Sequence, residues 1–261
     1  MANSPTGDSM TERIVRVLET FTSERTVQSA SEIGRRSGLP SSSAHRIVDD
    51  LVSAGLLDRD EDAQIRLGMR LWELALRGSS ALRLRTAALP HMEAVQTTIR
   101  EHTQLAVREK DEALFIERLS HPDAGANITR IAGRLPLHAS SSGLVLLAYA
   151  PAAVRASVLG GPLRAVSGET ITDPRTLERV IAGIRRDGVA IAPGSIQSVS
   201  TGVAVPLRHE GEVVAALSVV LPRDADPTPA VAALRQRHRV PGGRWVEDRD
   251  QRLDKEAVAE A

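Results

Sequence analysis

Between Met10 and Phe21 the apolar residues Ile14, Val17, Leu18 and Phe21 recur at spacings of three and four, the period of a helix with one buried face. Ser29-Ala30-Ser31-Glu32 has the S-x-x-E spacing of a capping box and predicts a second, short helix. Ile33 faces inward on it and Gly38 is its stop. After the Leu39-Pro40 turn a third helix runs to about Ala54, with Ala44, Ile47, Val48 and Leu51 on its inner face. Leu56–Arg59 and Gln64–Leu67 flank the polar stretch Asp60-Glu61-Asp62-Ala63 and read as a β-hairpin. Three helices and a hairpin in this order describe a winged helix-turn-helix, which we take as residues 10–68. A helix from Met69, broken at Gly78-Ser79-Ser80, predicts a linker over residues 69–81.

The pattern then changes. Leu82 to Arg100 reads as a long helix containing Pro90, and Gln104–Arg108 and Leu114–Leu119 read as strands about a Lys110-Asp111-Glu112 turn. Further strands are expected at 128–131, 189–192, 203–207 and 213–220, the last two joined by His209-Glu210-Gly211. Helices fit 143–149, 152–158 and 176–186, the last opened by the N-cap pair Asp173-Pro174. This mixture predicts an antiparallel sheet with helices beside it, an α+β sensor-like domain over 82–222. Beyond it the apolar positions thin out. Pro229 to Arg237 could form a helix, but Pro241-Gly242-Gly243 and the charged residues after it predict a disordered tail over 223–261.

Among these elements the third helix carries chemistry. Projected on a wheel, it turns Ser42, Arg46, Asp49 and Ser53 away from the buried stripe, flanked by Ser43 and His45. Short hydroxyl side chains at Ser41, Ser42 and Ser43 let a helix approach a major groove closely and bond phosphates or base edges. The free N–H groups and dipole of a first turn favour a phosphate, and Arg46 can reach guanine O6 and N7 with two hydrogen bonds. Asp49 and Asp50 would repel phosphates, so they should face away while the first turns dock. In the hairpin Arg59 and Arg66 could touch phosphates, although the acidic tip keeps the wing out of a groove. A serine-capped, solvated surface helix is the bland alternative. It loses ground because the capped short helix, the turn and the hairpin all fall where a winged helix needs them.

Charge does not advertise a nucleic-acid partner. Lysine plus arginine number 33 and aspartate plus glutamate 33, and residues 1–80 hold ten arginines against twelve carboxylates. Positive charge must therefore be arranged rather than abundant. The absence of cysteine excludes disulfides and thiolate chemistry. The N-terminus lacks the basic start and apolar run of a signal peptide, and GLVLLAYA is too short an apolar run to span a bilayer. A soluble, cytoplasmic protein is expected. The seven histidines are scattered, and no H-E-x-x-H, G-x-S-x-G, Walker A or G-x-G-x-x-G pattern occurs. We expect no metal, no cofactor and no catalytic residue.

The stretches ASEIGRRSGLPSSSAHRIVDDLVSAGLL and RLG, RLPLHASSSGLVLLA, and GVAVPLRHEGEVVAALSVV together resemble IclR-family transcriptional regulators, over about Met10 to Pro222. The resemblance implies a winged helix joined by a linker helix to a GAF-like effector domain. It also implies homodimers or homotetramers on palindromic double-stranded DNA operators, and a small-molecule effector. It places ligand-lining positions at Asn127, Leu135, Ser141, Ser142, Ala192, Ser200, Gly202, Ser218 and Val220. Some sensors of small oxoacids in this family carry an acidic residue where this chain has Ala192 and a cysteine where it has Gly202. That difference implies a roomier pocket, for a larger or aromatic acid. Family members also close with an amphipathic helix, for which this chain offers only Ala230, Val231 and Leu234.

Within the LPLHASSSG motif two roles remain open for Ser141 and Ser142, helix cap or ligand contact, while His138 reads as a structural hydrogen-bonding group. Two rival functions remain as well: a sensing or dimerisation module without effective DNA binding, and a hydrolase built on the serines and His138. DNA readout by the third helix makes a direct prediction. Arg46→Ala should weaken operator binding by about 1–3 kcal/mol in a fluorescence titration, and unchanged affinity would remove Arg46 from base recognition.

Overall fold

The computed structural model describes residues 8–125, 127 and 129–238, and the chain divides into two compact units at Ser79/Ser80. The first contains α1 (Met10–Glu19), β1 (Gln28–Ser29), α2 (Ala30–Ser37), α3 (Ser41–Ser53), β2 (Leu57–Arg59), β3 (Gln64–Leu67) and α4 (Met69–Gly78). Capping boxes start two of these helices, Ser9 with Glu12 and Ser29 with Glu32. The Ser29 backbone N–H, then its hydroxyl, holds the Glu32 carboxyl below the usual carboxylate range. The apolar stripes converge on one core of Val17, Ile33, Ala44, Ile47, Val48, Leu51, Leu57 and Ile65. The strands form an antiparallel sheet in the order β1-β3-β2. The hairpin was predicted; β1 was not, because two residues carry no readable period. In α4 no residue is fully buried, and Met69, Trp72 and Leu76 stand exposed at helical spacing.

The second unit contains α5 (Ser80–Ile99), β4 (His102–Glu109), β5 (Glu112–Leu119), β6 (Arg134–Pro136), α6 (Ser141–Ala148), α7 (Ala152–Gly160) and α8 (Pro174–Asp187). It continues with β7 (Ala190–Pro193), β8 (Ser200–His209), β9 (Glu212–Pro222) and α9 (Thr228–Gln236). Six strands form one sheet in the order β6-β5-β4-β9-β8-β7, antiparallel at every pairing. One face presents Leu105, Val107, Val203, Val205, Leu217 and Val219 to α5 and α9. The other presents Ala106, Phe115, Ala190, Ala204 and Ala216 to α6 and α8. Both faces are buried, so β8 and β9 read as continuous apolar runs rather than as alternation. The second face is also built from smaller side chains, which lets helices and a pocket approach the strands.

Two expectations are corrected here. No strand occupies 128–131: Thr129 and Arg130 lie in a loop, Ile131 and Ala132 in a turn, and Ile128 falls outside the described residues. The backbone of Thr129 is engaged elsewhere, its N–H by Asn127 Oδ1 at 3.0 Å and its carbonyl by Arg118 at 2.5 Å. The third partner of the hairpin is β6, which pairs with β5. The tail likewise does not lose structure at residue 223. α9 forms, and Ala230 and Leu234 are buried in the core beneath the sheet. Three apolar residues suffice because the side chains at i and i+4 share one face. Residues 239–261 lie outside the described residues.

Leu234 is fully buried. Leu234→Ala should destabilise the second unit by about 2–5 kcal/mol, read as a lower midpoint in urea denaturation. An unchanged midpoint would mean that α9 contributes nothing to this core.

Candidate functional site

On the first unit, Pro40 occupies the N-cap of α3 and no side chain caps the helix. The three serines therefore sit in the first turn rather than serving as the cap. Ser41, Ser42, His45, Arg46 and Arg66 are exposed and Ser43 is half-buried. Neither Arg46 nor Arg66 makes an ion pair among the described residues. Arg59 differs: its guanidinium meets the Asp49 carboxylate at 2.5 Å, tying the wing strand β2 to α3. Asp49 is thus neutralised by a partner rather than turned away, and Arg59 is engaged in that bridge. At the wing tip the Asp60 carboxylate accepts the backbone N–H groups of Asp62 and Gln64, so it closes the turn.

On the second unit, a pocket opens over the small-residue face of the sheet, with about 400 Å³ of empty space counting its mouth. Its floor crosses five strands: Phe115 on β5, Gln104 on β4, Val220 on β9, Gly202 on β8 and Ala192 on β7. The start of α6, Ser140 to Ser142, forms another wall. Asn127 and Thr129 close the pocket beside β4 and β5, and Ser195, Ile196 and Gln197 close it after β7, next to Ser200.

Of the nine positions expected from resemblance, Asn127, Ser141, Ser142, Ala192, Ser200, Gly202 and Val220 meet here. Leu135 and Ser218 do not line the pocket. Leu135 packs at the edge of the apolar core, and the Ser218 hydroxyl accepts a hydrogen bond from Ser142 at 2.8 Å. Ser140 is the α6 cap, accepting from the Gly143 N–H at 3.0 Å, which frees Ser141 and Ser142 from that role. His138 Nε2 lies 3.0 Å from the Arg164 carbonyl and donates to it.

Gln104, Phe115, Thr129, Ser140, Ser195, Ile196 and Gln197 line the pocket without having been foreseen. Gln104 had a visible signal, a buried amide in a strand that continues Leu105-Ala106-Val107. The loop residues had none, because loops carry no period. No charged side chain among the described residues lines the pocket. Among the described residues no cluster of ligating side chains could hold a metal ion.

Gly202 lies under the start of α6. A Cβ there would sit 2.6 Å from Ser141 Oγ and 3.2 Å from Ser141 Cβ. Gly202→Ala should therefore cost about 1–3 kcal/mol in thermal or urea unfolding, by overpacking. Adding Ser141→Ala, which removes the nearer atom, should recover part of the loss; additive losses would mean that this contact is not the cause.

Residues 11–61 match the IclR helix-turn-helix domain, and residues 78–225 match the bacterial transcriptional regulator IclR C-terminal family. The HTH-type transcriptional regulator KipR of Bacillus subtilis is 28% identical over 191 residues, covering 72% of this chain and 76% of that protein. The HTH-type transcriptional regulator XynR of Escherichia coli is 28% identical over 211 residues, covering 80% and 84%. An IclR homolog from Microbacterium hydrocarbonoxydans, crystallised with 4-hydroxybenzoate, is 59% identical, with a TM-score of 0.84 over 88% of this chain and 96% of that one. The chain belongs to the IclR family of transcriptional regulators, with a helix-turn-helix DNA-binding domain followed by a C-terminal effector domain.

Proposed function

We propose that this regulator binds a palindromic operator as a homodimer through α3, and that its effector is an aromatic carboxylic acid held in the second-unit pocket. The observation that carries the effector assignment is the lining: Phe115, hydroxyls and amides, with no charged side chain among the described residues. An aromatic ring finds an apolar wall there, and a carboxylate finds the start of α6, where the helix dipole favours negative charge. The homolog with 59% identity, crystallised with 4-hydroxybenzoate, supports the same class.

On the DNA side, Ser41, Ser42, Ser43, His45 and Arg46 are the residues we assign to the major groove, and Arg66 to the backbone. We assign Arg59 to bracing α3 through Asp49 rather than to phosphate contact. A second copy of the chain would cover the exposed stripe of Met69, Trp72 and Leu76 on α4 and set two recognition helices about 34 Å apart. We place the protein in the cytoplasm, with its operator; among the described residues no helix is long and apolar enough to cross a membrane. We assign it no catalytic step. The serines and histidine of LPLHASSSG support that reading, since His138 donates to Arg164, Ser140 caps α6 and Ser142 bonds Ser218.

Isothermal titration of 4-hydroxybenzoate into the purified chain tests the effector class. We expect saturable heat with one ligand per chain, on material sedimenting as two chains. Absence of heat with this acid and with other aromatic acids would overturn the assignment, and sedimentation as a single chain would overturn the dimer.

A further inference from the structure

Among the described residues that line the pocket, one buried side-chain group lacks a hydrogen-bond partner. Asn127 Oδ1 accepts the Thr129 N–H at 3.0 Å and the Thr129 hydroxyl at 2.6 Å. A backbone N–H only donates, so this pairing fixes which end of the amide is oxygen. The Thr129 hydroxyl in turn accepts from Gln104 Nε2, and Gln104 is buried on β4. Donors and acceptors therefore run in one direction, from Gln104 through Thr129 to Asn127. At the end of this chain Asn127 Nδ2 is buried and has no hydrogen-bond partner among the described residues. An unmade hydrogen bond of a buried donor is costly, and successive hydrogen bonds polarise one another toward the free end. All three residues line the pocket.

The position of this group matters as much as its chemistry. Gln104 lies on β4, whereas Gly202, beneath Ser141, lies on β8, with β9 between them. Two strand spacings are about 10 Å, enough for a single ring between the two polar ends. One end is the start of α6, suited to a carboxylate; the other is a neutral amide with donors to spare. We propose that Asn127, held by Thr129 and Gln104, donates to a second polar atom at the far end of the effector and so selects para-hydroxylated aromatic acids over those without the hydroxyl. The inference rests on the aromatic-acid reading of the pocket and adds the group that determines specificity within it.

The test compares 4-hydroxybenzoate with 4-fluorobenzoate, similar in size but a poor acceptor, by calorimetry on the full chain and on Asn127→Leu. The wild-type chain should prefer the hydroxylated acid by on the order of 10- to 100-fold. Asn127→Leu should abolish that preference by weakening 4-hydroxybenzoate alone; its retained affinity for 4-fluorobenzoate reports an intact pocket. Equal wild-type affinity for the two acids would overturn the proposal without any variant. A preference surviving in Asn127→Leu would overturn it too, as would an equal loss of both acids, which would make Asn127 a holder of its loop. If the wild-type chain binds neither acid, the aromatic-acid reading itself fails, and this inference with it.

Discussion

The close approach of α6 to β8 and β9 is the constraint on which the effector domain depends. Gly202 on β8 has no side chain beneath Ser141, where a Cβ would lie 2.6 Å from Ser141 Oγ; Gly143 has none where a Cβ would lie 2.5 Å from the carbonyl oxygen of Leu137, in the turn before α6. Ser142 then reaches the sheet directly and bonds Ser218 at 2.8 Å. Bulk at Gly202 would lift the start of the helix and separate the pocket wall from its floor. The small residues on this face of the sheet, Ala106, Ala204 and Ala216, serve the same geometry. Large aliphatic side chains are kept for the opposite face, where α5 and α9 supply ordinary apolar burial.

The DNA-binding unit solves a different problem, which is to offer positive charge from a chain with no surplus of it. The solution is pairing. Asp49, the carboxylate nearest the exposed serines and Arg46 on α3, is occupied by Arg59, and Asp60 is occupied by the turn it closes. In its first two turns α3 leaves exposed only Ser41, Ser42, His45 and Arg46, beside N–H groups that no side chain caps, while Asp49 and Asp50 are exposed further along. The operator-facing character of the helix therefore comes from which charges are neutralised within the unit, not from how many of one sign it contains.

Much of this was legible in the sequence, and the limits have physical causes. The inner face of α3 at Ala44, Ile47, Val48 and Leu51 follows from helical spacing alone, as does the capping box at Ser29 and Glu32. The strands with continuous apolar runs were located correctly, although that both faces are buried shows only in three dimensions. The failures lie where side chains overrule local preference. Ile128 to Ile131 has the composition of a strand, yet Asn127 and Arg118 take up the backbone of Thr129. The possible helix at Pro229 to Arg237 was placed within a disordered tail, yet α9 forms because Ala230 and Leu234 meet a ready apolar surface. Of the lining positions, Asn127, Ser141, Ser142, Ala192, Ser200, Gly202 and Val220 coincide with those the resemblance implied, whereas Gln104, Phe115, Thr129, Ser140 and the 195–197 loop emerged only once the chain was folded.

We propose that a small molecule in the second unit controls DNA binding by the first. The most direct measurement is fluorescence anisotropy of the full chain on its own upstream intergenic DNA and on scrambled DNA, at two salt concentrations, with and without 4-hydroxybenzoate. The expected result is tighter binding to the intergenic DNA, an affinity that falls by about 10³–10⁵ between 50 and 200 mM salt if roughly 6–10 phosphates are contacted, and a shift on adding the acid. Weak, equal binding to both DNAs, unmoved by the acid although calorimetry shows it bound, would contradict it.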